Sequence, residues 1–177
     1  MDYDINKIKM IISDIDGVWT DGSIYVGSKD SEIKKFNVND GAGVALLRQS
    51  GIKLALISGR ESNATALRAS ELKIQDLYNG ILNKIIPYEE LKSKYDLDDS
   101  EIAYIGDDLI DIPVMEKVAV PIATQNASDS CKAVAVHITD KSGGEGAFRE
   151  AVEWILSKQG RLEKVILELK DQLLNRK

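Results

Sequence analysis

The chain has 177 residues, 23 Lys and Arg against 29 Asp and Glu, a formal net charge of -6 and 44% hydrophobic residues. That size fits one domain able to bury its own core, and the mix of apolar and charged residues excludes a long disordered or low-complexity segment. The acidic balance excludes nucleic-acid and anionic-membrane partners, which need a basic surface, so an anionic ligand has to be met by a few local groups. With Cys131 as its one cysteine the chain has no internal disulfide. Since the sequence has no apolar leader and no stretch of about eighteen apolar residues, the protein is expected in the cytoplasm.

The first apolar run, Lys9 to Asp14, ends on an acid and predicts a buried strand. Ser23 to Val26 and Ile33 to Asn37 then flank the polar Gly27-Ser28-Lys29-Asp30, the pattern of a β-hairpin over about 22–38. A helix from about Gly43 to Ser50 leads to a strand at Lys53 to Ser58. Helices at Ser62 to Leu72 and Ile85 to Tyr95 precede a strand at Ile102 to Asp107, and a short helix follows at Asp111 to Lys117. Val118 to Ala123 and Ala133 to Ile138 read as two further strands, and Gly146 to Lys158 as a helix. After a break at Gly160, Leu162, Val165, Ile166, Leu169 and Leu173 recur every three or four residues, so 161–177 forms an amphipathic helix appended to a domain over 1–160.

Continuous apolar strands alternating with helices predict an α/β fold: a Rossmann-like, doubly wound parallel sheet with helices on both faces. The hairpin leaves directly from the end of the first strand. It therefore stands over the carboxyl edge of the sheet, where open α/β folds bind ligands.

The chemistry gathers at that edge. Asp14-Ile15-Asp16-Gly17 puts two carboxylates at one strand end, and Gly106-Asp107-Asp108-Leu109-Ile110-Asp111 puts three more at another. Their repulsion calls for a cation, and hard oxygen donors with room for water suit Mg²⁺. Ser58 in Ile57-Ser58-Gly59-Arg60 and Lys84 in Asn83-Lys84 add a hydroxyl, backbone donors and a positive charge for phosphate oxygens. Anion donors beside a metal point to phosphoryl chemistry.

Four motifs in this order, over roughly Lys9 to Pro113, resemble those of the haloacid dehalogenase superfamily. The resemblance implies that Asp14 is a nucleophile forming an aspartyl phosphate, and that Asp16 protonates the leaving alkoxide and then activates water. It implies Mg²⁺ on Asp14, the backbone carbonyl of Asp16 and Asp107, with Asp108 and Asp111 supporting. Ser58, Gly59 and Lys84 then bind the phosphate, and Lys84 also orients Asp14. The gaps between the motifs leave no room for a cap domain, so the hairpin stands in place of one and another subunit closes the site.

Asp14 to Gly22, Phe36 to Gly41 and Gly143 to Glu150 look like the corresponding stretches of the 3-deoxy-D-manno-octulosonate 8-phosphate phosphatases, a capless branch of that superfamily. This implies a small acidic sugar phosphate as substrate, a homotetramer, and Arg60 and Arg68 as cations for the sugar carboxylate. Relatives acting on nonulosonate 9-phosphates carry an acid where this chain has Arg60. Glu145 stands where the octulosonate enzymes commonly have Arg. Nonulosonate 9-phosphates therefore stay open as substrates. So does a non-catalytic oligomerisation domain like those fused to acylneuraminate cytidylyltransferases. His137, within an apolar run, is expected in the core or at a sheet edge, and Trp19 either at the site mouth or packed beneath the hairpin.

Overall fold

The computed structural model describes residues 3–27 and 32–175. Its centre is β1 (Met10–Ser13), four residues buried on both faces. Around it lie β4 (Lys53–Ser58), β5 (Asp76–Asn79), β6 (Ile102–Gly106), β7 (Val120–Ala123) and β8 (His137–Ile138), in the order β5-β4-β1-β6-β7-β8. Every neighbouring pair is parallel, with Met10 opposite Lys53 on one side and Ile102 on the other. The order reverses at β1. Ligand crevices form at such a reversal, outside the carboxyl ends of the strands.

Side chains alternate across a strand, so β1 feeds two cores. Ile11 packs with Leu47, Phe148 and Ile155 on the face covered by α1 (Val38–Ser50), α6 (Ala147–Lys158) and α7 (Leu162–Leu174). Met10 and Ile12 pack with Tyr88, Leu91 and Met115 under α3 (Ile85–Tyr95), α4 (Ile112–Met115) and α5 (Asp129–Val134). α2 (Asn63–Glu71) links β4 to β5, its Ala69 reaching the first core.

The structure departs from the sequence pattern in several places. Asp76–Asn79 is an edge strand with one buried residue, too short to announce itself as an apolar run. The run at Ala133 to Ile138 is divided. Ser128 caps α5 by accepting from Cys131 N at 3.3 Å, which carries the helix to Val134 and leaves only His137 and Ile138 to pair with β7. α1 starts at Val38, capped by the Asn37 side chain, and runs through Gly41 and Gly43. A Cβ on Gly43 would meet Arg149 Cα and the Phe148 ring at 3.1 Å, so close packing of α1 on α6 repays the lost helix propensity. The apolar stripe of α7 seats Val165, Ile166 and Leu169, whereas Leu173 is exposed.

The hairpin pairs β2 (Tyr25–Val26) with β3 (Glu32–Ile33), antiparallel. The expected turn at Ser28, Lys29 and Asp30 lies outside the described residues, as does the end of the appended helix at 176–177. No helix among the described residues is long and apolar enough to cross a membrane.

Candidate active site

Asp14 follows β1, its backbone N–H donating to Ile105 O at 2.9 Å. The chain then turns tightly, with the N–H groups of Val18, Trp19 and Thr20 all directed at Ile15 O. Trp19 anchors that turn from below. It is buried, stacks on Phe148 at 4.1 Å and donates from Nε1 to Ser13 Oγ at 3.0 Å, so it packs under the site and does not line it.

Lys84, just before α3, has no exposed side-chain surface and spans two carboxylates: Nζ lies 2.7 Å from Asp14 Oδ1 and 2.6 Å from Asp111 Oδ1. Burial alone would lower the Lys84 pKa. The two acids outweigh it and the value is raised. Asp111 Oδ1 also accepts from Tyr104 Oη at 2.6 Å, and its Oδ2 from the N–H groups of Asp107 and Asp108 at 3.0 and 3.2 Å. Four donors use up the acceptor positions of a carboxylate. Asp111 therefore holds the loop and Lys84 in place.

One carboxylate oxygen from each of Asp14, Asp107 and Asp111 lies within 4.8 Å of the others. Burial pushes Asp14 up from the usual carboxylate range, and the charge of Asp111 adds to this against the pull of Lys84. Asp107 is raised likewise by burial, then by Asp14 and Asp111. Among the described residues, no Lys or Arg forms an ion pair with Asp107. An acid without an ion-pair partner facing a buried one, both hard oxygen donors, fits a divalent cation such as Mg²⁺. Gly17 is part of the fit: at φ +86° it lies so close that a Cβ would stand 1.9 Å from Asp107 Oδ2. Gly17→Ala is expected to displace Asp107 and raise the Mg²⁺ concentration for half-maximal activity by about tenfold or more, as read in a metal titration.

An open cleft of about 340 Å³ fronts these groups, lined by Asp14, Asp16, Gly59, Arg60, Asp107 and Asp108, with Ile24, Leu82 and Ile110 at its apolar rim. Ser58, at the end of β4, is fully buried. Its Oγ donates to Arg60 O at 2.8 Å and accepts from Arg60 N at 3.2 Å, which shapes the turn beneath the cleft. The Arg60 guanidinium is engaged by Glu32 of the hairpin, at 3.0 Å from Nε and 2.6 Å from Nη2. Arg68 is not brought to the cleft wall: it pairs with Glu71 on α2 at 2.8 Å and lies near the start of α1, where its charge acts on buried Asp40.

Two site residues escape the sequence patterns. Tyr104 had a signal, since a phenol inside a buried strand needs a partner for its hydroxyl. Lys34 had none. It follows β3 on the inward side of the hairpin, and its buried Nζ reaches Asp16 Oδ1 at 2.7 Å and Oδ2 at 2.9 Å.

The family model for haloacid dehalogenase-like hydrolases matches residues 53–149, more than half of the chain. The chain belongs to that family. Within it, the chain is 41% identical over 157 residues to the 3-deoxy-D-manno-octulosonate 8-phosphate phosphatase KdsC of Salmonella typhi, covering 89% of this chain and 84% of that one. The crystal structure of the Yersinia pestis 3-deoxy-D-manno-octulosonate 8-phosphate phosphatase superposes with a TM-score of 0.87 at 41% identity, over 90% of this chain and 86% of that one. The Moraxella catarrhalis phosphatase, solved with magnesium, phosphate and KDO, gives a TM-score of 0.89 at 38% identity, over 93% and 94% of the two chains. The family model begins at residue 53, whereas these matches each cover 89% or more of the chain.

Proposed function

We propose that the protein is a Mg²⁺-dependent phosphatase that hydrolyses 3-deoxy-D-manno-octulosonate 8-phosphate to the free sugar acid and phosphate. The observation that carries this reading is the buried Asp14–Lys84–Asp111 chain beside Asp107, at the mouth of a cleft in a fold shared with phosphatases of that specificity. One Asp14 oxygen attacks phosphorus while the bond from phosphorus to the sugar oxygen breaks, giving an aspartyl phosphate. Asp16 hands a proton to the departing oxygen and later takes one from the water that cleaves the aspartyl phosphate. Asp14, Asp107 and the backbone carbonyl of Asp16 would hold Mg²⁺, which would supply charge that offsets repulsion between carboxylate and phosphate. Lys84 and the Ser58-Gly59-Arg60 turn serve the phosphoryl oxygens, with Asp108 and Asp111 supporting. Arg60, at the cleft wall, reaches a substrate carboxylate by exchanging its hold on Glu32.

A homotetramer in the cytoplasm completes the reading. The apolar residues exposed on the hairpin and cleft rim, including Tyr25, Val26, Ile33 and Leu82, support closure by a neighbouring subunit. The test is kcat/KM with Mg²⁺ over phosphorylated 2-keto-3-deoxy sugar acids and hexose phosphates, beside a mass measurement in solution. The eight-carbon acid is expected to exceed hexose phosphates by about 100-fold, the scale of a site built to pair a charged group. A preference for nonulosonate 9-phosphates moves the assignment to the nine-carbon acids. Stable assembly with no hydrolysis at all would leave the oligomerisation-domain reading.

A further inference from the structure

Lys34 is buried to 1% side-chain exposure, yet its ammonium emerges at both oxygens of Asp16, a side chain 30% exposed to the cleft. Its remaining partners are Thr65 Oγ1 at 3.3 Å and, more distantly, Glu32 at 3.9 Å. Alternation along the hairpin explains how it gets there. Glu32, Lys34 and Phe36 point inward to Arg60, Asp16 and the core, while Ile33 and Lys35 point out.

Burying a lysine to make one close ion pair and one distant one is a poor device for stability, because desolvation and lost rotamer freedom cancel most of the attraction and an apolar side chain of similar volume would pack as well. Orientation is what the pair does supply. A short carboxylate at an open cleft samples several rotamers, and a group that must sit in line with a leaving oxygen loses rate when it wanders.

We infer that Lys34 is the positioning residue for Asp16, through which the hairpin sets the geometry of proton delivery to the leaving oxygen. This rests on the acid–base role proposed above for Asp16. In the step concerned, the Asp14–phosphorus bond forms, the bond from phosphorus to the sugar oxygen breaks, and a proton carried into the substrate complex on Asp16 passes to that oxygen, leaving Asp16 as the carboxylate that Lys34 pairs with. Lys34 itself does not line the cleft.

The experiment compares two leaving groups by kcat/KM, which reports the first chemical step. The sugar alkoxide needs the proton; p-nitrophenolate does not. Lys34→Met is expected to lose about 100-fold on the sugar phosphate and under about tenfold on p-nitrophenyl phosphate, the range of one general-acid contribution. Asp16→Asn should show the same asymmetry, and Lys34→Met added to Asp16→Asn should cost nothing more. Thr65→Val and Lys34→Arg give milder losses with the same asymmetry and keep the test alive if Lys34→Met fails to fold. Equal losses on both substrates, or additive losses in the double variant, overturn the positioning role while leaving Asp16 intact. Symmetric losses in Asp16→Asn itself would instead remove the acid role on which it rests.

Discussion

Asp14→Asn is expected to lower Mg²⁺-dependent phosphate release by on the order of 10⁴-fold or more, because an amide cannot form the acyl phosphate that divides the reaction in two. Folding should survive. Burial and Asp111 already disfavour a charge at Asp14, and Lys84 keeps Asp111 as a partner after the change. The loss of one ion pair is then set against relief of repulsion, and the melting temperature should stay within about 5 °C of the parent. The measurements are steady-state phosphate release and a melting curve on the same preparation. A rapid acid quench should trap phosphorylated protein from the parent and none from the variant. Residual activity within tenfold of the parent would exclude a covalent route through Asp14.

How much of this could be read from the chain itself depends on how local each signal is. Asp14, Asp107 and Ser58 stand at strand ends, where a continuous apolar run stops on a polar residue, so their common edge follows from parallel topology alone. Lys84 lies on no strand, and only its place in an ordered motif marked it. Its triangle with Asp14 and Asp111 depends on where α3 starts, which no local pattern fixes. Arg60 lines the cleft, but its engagement by Glu32 joins the turn after β4 to the hairpin across 28 positions, which no local pattern encodes. Arg68 sits on the face of α2 turned toward α1, a consequence of helix rotation that a guanidinium in a motif does not encode. The fold's own omissions are of the same kind. β5 is held by pairing of Asp76–Asn79 with β4 and not by its own hydrophobicity, and the end of α5 was obscured because Val134 and Val136 suit a strand as well as the residues around a helix terminus.

Lys84→Met is the variant expected to separate the structural from the chemical work of the cleft. Its ammonium is the ion-pair partner of both Asp14 and Asp111, with no exposed side-chain surface of its own. Removing it leaves two buried acids without a cation, a change that costs about 3–5 kcal/mol, or on the order of 10 °C in melting temperature for a domain of this size. The sign of the pH dependence follows. Asp14 is already raised by burial and by Asp111, and without Lys84 it rises further, so the folded variant holds more protons than the unfolded chain. Stability of the variant must therefore fall as pH climbs above the ordinary carboxylate range, its deficit against the parent widening above about 7, where the parent's Asp14 ionises, and narrowing on acidification. Added Mg²⁺ should restore part of the lost stability, since a divalent ion between Asp14 and Asp107 offsets the same repulsion. It should not restore turnover, which stays about 10²–10³-fold down for want of a preorganised positive charge at the phosphoryl oxygens. A melting temperature equal to the parent's at pH 8 without metal would mean that the acids are not held together by Lys84, and the electrostatic account of the cleft would fail with it.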